Sequence, residues 1–397
     1  MKREQFIFLN SSVSKSNKNI QIDTDNFINE LDLKTIKFNN KVFFIQSGGT
    51  EEIFIKIYKK YKPPYYIIAT DSNNSLPASL EIISFLHSKK LECYLFHGKA
   101  KDVRESLNSQ YQNKIHFNYE LNPEIKLLEN VKLGVIGEPS DWLIASKVNY
   151  EEVNNVFGAS IVDISFEEFK NEIEKSKVSS IGKYKNYLTD KIKEEDIIVA
   201  LKIYKALKRI ADKYSLNGLS VRCFDLLGTI HSTSCLALAM LNDEGIISSC
   251  EGDIPALLTM MIVFKHFGKH SFQCNPSYIN VDQNYGYFAH CTLPLKMTSS
   301  FSLNTHFESN IGVGIHGELK TGNVTICKIN ADLKKFSVFA GKINENLYKN
   351  NLCRTQIKVS FIDPIDTVLS SPCGNHLIIF YGNYCSKFVS LLTSKLS

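Results

Sequence analysis

Near its start the chain repeats one unit: an apolar run, a short glycine-rich or polar turn, then a segment with apolar residues at helical spacing. KVFFIQSGGTEEIFIKIYKKY (41–61) has this form, with Ile53, Ile55 and Ile57 set among charges. YYIIATDSNNSLPASLEIISFLHSKK (65–90) repeats it, with Leu80, Ile83, Phe85 and Leu86 on the helical part, and LECYLFHG (91–98) supplies another short strand. Strands that alternate with helices pair in parallel, because each crossover returns the next strand in the direction of the last. KLGVIGEPSDWLIAS (132–146) restarts the scheme and predicts strand, glycine turn and helix, and GASIVDISFEEFKNEI (158–173) keeps the same rhythm. DIIVALKIYKALKRIADKYSLNG (196–218) predicts a helix with Ile197, Leu201, Tyr204, Leu207 and Ala211 at helical spacing and Asn217-Gly218 as its C-cap.

Beyond about residue 285 the pattern changes. GVGIHGELKTGNVTICKINADLKKFSVFAGKI (312–343) consists of short alternating segments broken by turns, RTQIKVSFID (354–363) continues them, and residues 375–396 predict one more strand and a helix. A chain of 397 residues is too long for one ordinary core. The expected fold is α/β: two Rossmann-like parallel-sheet domains, 1–130 and 131–285, then a β-rich, barrel-like domain over 286–397.

Composition narrows the function classes. The content of 44% hydrophobic and 22% charged residues is that of a globular protein. A net charge of 46 − 41 = +5, with lysines scattered along the chain, lacks the clustered basic face of a nucleic-acid binder. The opening MKREQFIFLNSS has too short an apolar run for a signal peptide, and no stretch approaches the roughly 18 apolar residues of a membrane span. Ten cysteines without a CxxC pair read as reduced thiols. A soluble cytoplasmic protein is expected.

SCEGDIPALLTMM (249–261) is the stretch with the clearest chemistry. Ile254, Leu257, Leu258 and Met261 share one face of a helix that starts near Asp253, with Pro255 in its first turn. Asp253 is therefore a natural N-cap, worth about 1 kcal/mol. Capping leaves Glu251 unexplained, and a carboxylate beside a helix N-terminus stays ionised, as a ligand for a hard metal must. His290 (YFAHCTLPL) and His376 (SPCGNHLIIFYG) fall at strand ends, where either could be an ordinary core residue; with Glu251 they make a plausible divalent-metal set. His306 and His316 look like surface or turn residues, and His231 lies in a helical pattern. The turns SGGTEE and GVIGEP lack the GxGxxG form, and Cys223, Cys235, Cys250, Cys291 and Cys373 read as core filler.

These residues together resemble the L-fucose isomerase / L-arabinose isomerase superfamily, most strongly over 218–295 and again at the C-terminus. SSCEGDIPALLTMM resembles the segment in which that family's glutamate binds a catalytic Mn²⁺. FQCNPSY and FAHCTLP resemble stretches that follow it, and CGNHLIIFYGNYC resembles the terminal segment with a metal-binding histidine. The resemblance implies Glu251, His290 and His376 as metal ligands, Glu251 and Asp225 as catalytic carboxylates, and Arg222 and Asn275 at the substrate. It further implies a Mn²⁺-dependent aldose–ketose isomerase working through an ene-diol, and a homo-oligomer, trimer or hexamer, with a small sugar as its partner. The alternatives are a metal-dependent lyase or epimerase of a sugar-like substrate, and a non-catalytic sugar-binding homologue. Asn275 departs from the family, which has a second carboxylate there; asparagine cannot abstract a proton, so either Asp225 or Asp253 replaces it or the proton chemistry differs.

Overall fold

The computed structural model describes residues 3–11, 18–31, 40–108 and 118–394. Three principal sheets organise them. The first takes Phe6–Leu9, Val42–Ile45, Tyr65–Ala69 and Cys93–His97 in sequence order, all parallel. Val42–Ile45 is buried throughout, as expected of a strand covered on both faces by crossover helices. Helix Ser75–Ser88 is buried on nearly all sides because it serves two cores. Ala78, Ile82, Ile83 and Leu86 pack on this sheet, whereas Leu76 and Leu80 pack into the third.

The second sheet is also parallel, in the order Ser160–Ile164, Lys132–Ile136, Gly218–Val221, Ile247–Cys250. Its first strand in sequence lies inside the sheet, so the winding reverses between Lys132–Ile136 and Gly218–Val221. In doubly wound sheets ligands bind beyond the C-terminal strand ends near such a reversal. The helix expected directly after Lys132–Ile136 is absent there. Gly137 and Glu138 take left-handed angles, Pro139 follows, and the chain runs in turns until helix Tyr150–Phe157, capped by Asn149. The long helix forms as Glu194–Tyr214, but Ser215, not Asn217-Gly218, is its left-handed C-cap. Asn217 instead accepts from the Lys132 amide at 2.8 Å. Gly218 opens the next strand, where an added Cβ would lie 2.5 Å from the Ile247 carbonyl oxygen.

The third sheet is a closed antiparallel barrel. Gly322–Ile329, Leu377–Tyr381, Phe272–Asn280, Tyr285–His290, Thr355–Phe361 and Lys335–Asn346 follow one another around it, and pairing of the last with Gly322–Ile329 closes the ring. Phe272, Phe288, Ile326, Phe339, Ile357 and Ile379 belong to its core, since a barrel this small is filled by its own side chains. The barrel recruits Phe272–Asn280 from before residue 286, and Asn118–Glu120 adds to Lys335–Asn346. Helix Ile254–Phe267 lies between the barrel and the second sheet, which explains its apolar surface all round. No helix among the described residues is long and apolar enough to cross a membrane.

Candidate metal centre

Glu251 stands just past the C-terminal end of strand Ile247–Cys250. Glu251 and Gly252 both take left-handed angles, φ +67° and +72°. At position 252 a Cβ would lie 2.6 Å from the Glu138 carbonyl oxygen, so the turn requires glycine. For Glu251 the conformation costs roughly 1–2 kcal/mol. It is held because the Ser140 amide donates to the Glu251 carbonyl at 2.9 Å and the Gly252 amide donates to Val221 at 3.1 Å. A strained, buried glutamate at a sheet end is the kind of outlier from which a functional role is inferred.

Asp253 caps the following helix as expected, its Oδ1 accepting from the Ala256 amide at 2.7 Å. Its Oδ2 does more, accepting from Lys328 Nζ and His376 Nδ1, each at 2.8 Å. The side chains of Asp253, Lys328 and His376 are sealed from solvent. With Nδ1 committed to Asp253, His376 turns Nε2 toward Glu251 Oε1 at 3.5 Å, and His290 brings its Nε2 to the same oxygen at 3.7 Å. The histidines come from neighbouring places in the barrel, one ending Tyr285–His290 and the other preceding Leu377–Tyr381. Trp142 Nε1 donates to the other carboxylate oxygen, Oε2, at 2.6 Å.

One ligand atom from each of Glu251, His290 and His376 lies within 4.8 Å of the other two. Nε2 of His376 is buried without a hydrogen-bond partner. Leaving such a nitrogen unsatisfied costs roughly 1–3 kcal/mol, and a divalent ion among these residues would satisfy it. A carboxylate behind a histidine, as Asp253 is behind His376, is the usual support of a metal-binding imidazole. The donor set therefore fits a divalent ion. Burial opposes the Glu251 charge, but His376 and His290 outweigh it and hold the carboxyl well below its usual range. Burial likewise opposes a charge on His376, yet Glu251 and Asp253 raise its pKa to about 9. Burial lowers that of His290, against the pull of Glu251. The Thr292 amide donates to His290 Nδ1 at 3.3 Å, which puts the neutral ring's proton on Nε2; to ligate there the ring must move that proton to Nδ1 and give up this long contact.

A cavity opens beside these residues. Its inner part is small, about 30 Å³, and is bordered by Glu251, His290, Asn275, His306 and Glu308, with apolar walls that include Cys223, Cys235 and Cys291. An outer cleft of about 210 Å³ continues past Trp142, Asn74, Gly48 and Ser11, between the ends of both parallel sheets and the barrel.

Of the residues singled out from sequence, Glu251, His290, His376 and Asn275 come together. Asn275 is buried in strand Phe272–Asn280, and its Oδ1 has no partner. Arg222 and Asp225 stand outside the cavity lining, paired with each other at 3.0 Å, while the Arg222 guanidinium also binds Asp141 on the cleft lip. Asp253 is spent on the cap, Lys328 and His376. His306, expected at the surface, is buried against Phe224 with ring centroids 5.3 Å apart, because its loop folds inward. His316 is half-buried on strand Gly314–Leu319, its Nδ1 2.7 Å from the Arg354 carbonyl oxygen. His231 is exposed just past helix Asp225–Thr229. Cys223, Cys235, Cys250, Cys291 and Cys373 are free and buried, as expected of core residues. Sequence reasoning missed Trp142, Lys328, Asn74 and Glu308. A lysine inside the buried run TICKI was a usable signal for Lys328; Trp142 and Glu308 offered none.

No protein-family model matches the chain. Curated relatives named sulfoquinovose isomerase, from Priestia aryabhattai and Priestia megaterium, are 21% identical over 290 residues, 67% of this chain and 63% of theirs. One of the same name from a Clostridium species is 31% identical over 123 residues, 31% of this chain and 26% of that protein. The chain thus spans just under two thirds of the length of the Priestia relatives, and its similarity is to sugar isomerases.

Proposed function

We propose that the chain is a metal-dependent sugar isomerase that interconverts an aldose and a ketose through an ene-diol. One observation carries the reading: Glu251, His290 and His376 converge with an unpartnered Nε2, beside a cleft, in a chain similar to proteins named sulfoquinovose isomerase. These three residues would hold the ion, Mn²⁺ by the resemblance described above, and once bound it would stabilise negative charge developing on substrate oxygens. Asp253, held in turn by Lys328, orients the His376 ring. Trp142 fixes the Glu251 carboxylate in its plane. Asn275 offers its unpartnered Oδ1 as an acceptor for a sugar hydroxyl. Arg222 acts as a positioning residue, clamping Asp141 at the cleft lip with Asp225 as a second counter-ion. In keeping with the resemblance, a trimer or hexamer would complete the cleft.

The test combines metal analysis with turnover. Purified protein supplied with Mn²⁺ should retain about one ion per chain and convert at least one member of a panel of sulfoquinovose, D-glucose, L-fucose and L-arabinose. Glu251→Gln should lose the ion. Retention of the metal by that variant, or an inert wild type, would sink the reading, and exchange at C2 in D₂O without aldose–ketose conversion would point to an epimerase.

A further inference from the structure

Isomerisation needs a group that takes a proton from carbon and returns it to the neighbouring carbon. The residues assigned so far do not provide one. Glu251 holds Trp142 at one oxygen and faces the two histidines with the other, where it would be occupied as a ligand of the ion. Asn275 cannot accept a carbon-bound proton. Asp253 is enclosed, and Asp225 is bound to Arg222 outside the cavity.

We propose that Glu308 is the missing carboxylate, the catalytic residue that moves the proton between C1 and C2; this rests on the isomerase reading. Glu308 lies on the loop between strands Thr298–Asn304 and Gly314–Leu319 and lines both the inner cavity and the outer cleft, alongside Glu251 and Asn275. Asn74, arriving from the first parallel sheet's side, donates to its Oε1 at 2.7 Å and fixes the carboxyl. The loop is braced from within: the Asn310 amide donates to the His306 carbonyl at 2.9 Å, and Arg354 Nε donates to Thr305 O at 2.6 Å. Asn275 adds an independent sign of a ligand here, since its buried Oδ1 borders the same space without a partner. Burial, opposed by Asn74 and reinforced by Glu251, raises the Glu308 pKa to about 7. A base poised near neutrality both takes and returns a proton readily. Glu51 is the rival, a buried carboxyl in the outer cleft, but it does not border the inner cavity.

The step balances without any co-reactant. The Glu308 carboxylate takes the proton from C2 of the open-chain aldose, and the C–H electron pair becomes the C1=C2 bond. The carbonyl π pair moves to O1, which gains a proton from solvent water; the O2 proton released in the next step goes back to solvent, so none is consumed. The ene-diol then loses the proton on O2, C2=O2 forms, and the C1=C2 pair takes the proton back from Glu308 at C1. C1 is reduced and C2 oxidised, and the atom count is unchanged.

Glu308→Gln keeps the shape of the side chain and the oxygen that accepts from Asn74. With Mn²⁺ supplied, wild type, Glu308→Gln, Glu308→Asp and Glu51→Gln are compared for conversion of the sugar panel, for C2–H exchange in D₂O and for bound metal. Expected is a fall in kcat of at least ~100-fold for Glu308→Gln, the usual scale for a lost general base, with KM and metal content near wild type and partial activity in Glu308→Asp. Exchange within a few-fold of wild type in Glu308→Gln, loss of its metal, or a larger defect in Glu51→Gln would each overturn the assignment of Glu308 while leaving the isomerase reading intact. A wild type that holds metal but converts no sugar overturns the isomerase reading itself, and with it this role.

Discussion

Replacing Asp253 by asparagine separates the three tasks this carboxylate performs. The cap survives, because asparagine presents the same oxygen to the Ala256 amide and is as good an N-cap. The ion pair does not survive. Lys328 Nζ sits 2.8 Å from Asp253 Oδ2 with neither side chain exposed, so the variant leaves an ammonium buried without its counter-ion. Breaking a buried pair in this way costs about 3–5 kcal/mol. Lys328→Met should cost less, since His376 still faces Asp253, and the double variant should recover part of the loss because no uncompensated charge remains. The two sites are in contact, so their effects should couple by about 0.5–3 kcal/mol. Trp142, the only tryptophan in the chain, binds Glu251 and makes urea unfolding observable at the site by fluorescence. Asp253→Asn should also weaken Mn²⁺ binding by about 10–100-fold, as loss of a ligand's support usually does. Two outcomes refute the reasoning: Asp253→Asn within about 1 kcal/mol of wild type, or a double variant no more stable than Asp253→Asn alone.

Other consequences can be checked separately. His376 has a pKa of about 9 in the metal-free fold, above the roughly 6.5 of an unfolded histidine, so its stabilising contribution is full below about pH 6.5 and fades as pH rises to 9. Because the ion must displace that proton, apparent Mn²⁺ affinity should rise over the same window with proton release, which calorimetry in buffers of different ionisation enthalpy would detect. Gly252→Ala should destabilise the protein by more than about 1 kcal/mol and abolish metal binding, since a Cβ 2.6 Å from Glu138 O must displace the Glu251 turn; an unaltered melting temperature would contradict this. Trp142→Phe keeps an aromatic ring against Phe224 but removes the bond to Glu251, and metal titration should show weaker binding with little change in stability. Light scattering should show a trimer or hexamer, and a monomer at working concentration would count against it.

The alternation of strand and helix and the later β pattern announced the three sheets, because backbone pairing follows periodicity that any stretch displays locally. Local chemistry also distinguished Asp253 from Glu251: the cap involves only the short stretch from Asp253 to Ala256. What periodicity could not convey was closure. The barrel takes Phe272–Asn280 from the middle of the chain and sets it between Leu377–Tyr381 and Tyr285–His290, which brings His376 beside His290, while pairing of Gly322–Ile329 with Leu377–Tyr381 puts Lys328 behind Asp253.

Glu308 shows the limit most sharply. Nothing adjacent to it in FESN marks a catalytic group, and its properties come from elsewhere: Asn74 lies 234 positions away, and the charge that helps raise its pKa belongs to Glu251. A general base needs proximity to substrate and a pKa near the working pH, and both are set by the cavity as a whole. A metal ligand needs only a donor atom aimed at a point, which short segments at strand ends deliver. The proposed ligands are therefore easier to read from sequence than the proposed base. The sequence around Asn275 points to Asp225 and Asp253 as replacements for the missing carboxylate, whereas the cavity places Glu308 in the same lining as Asn275.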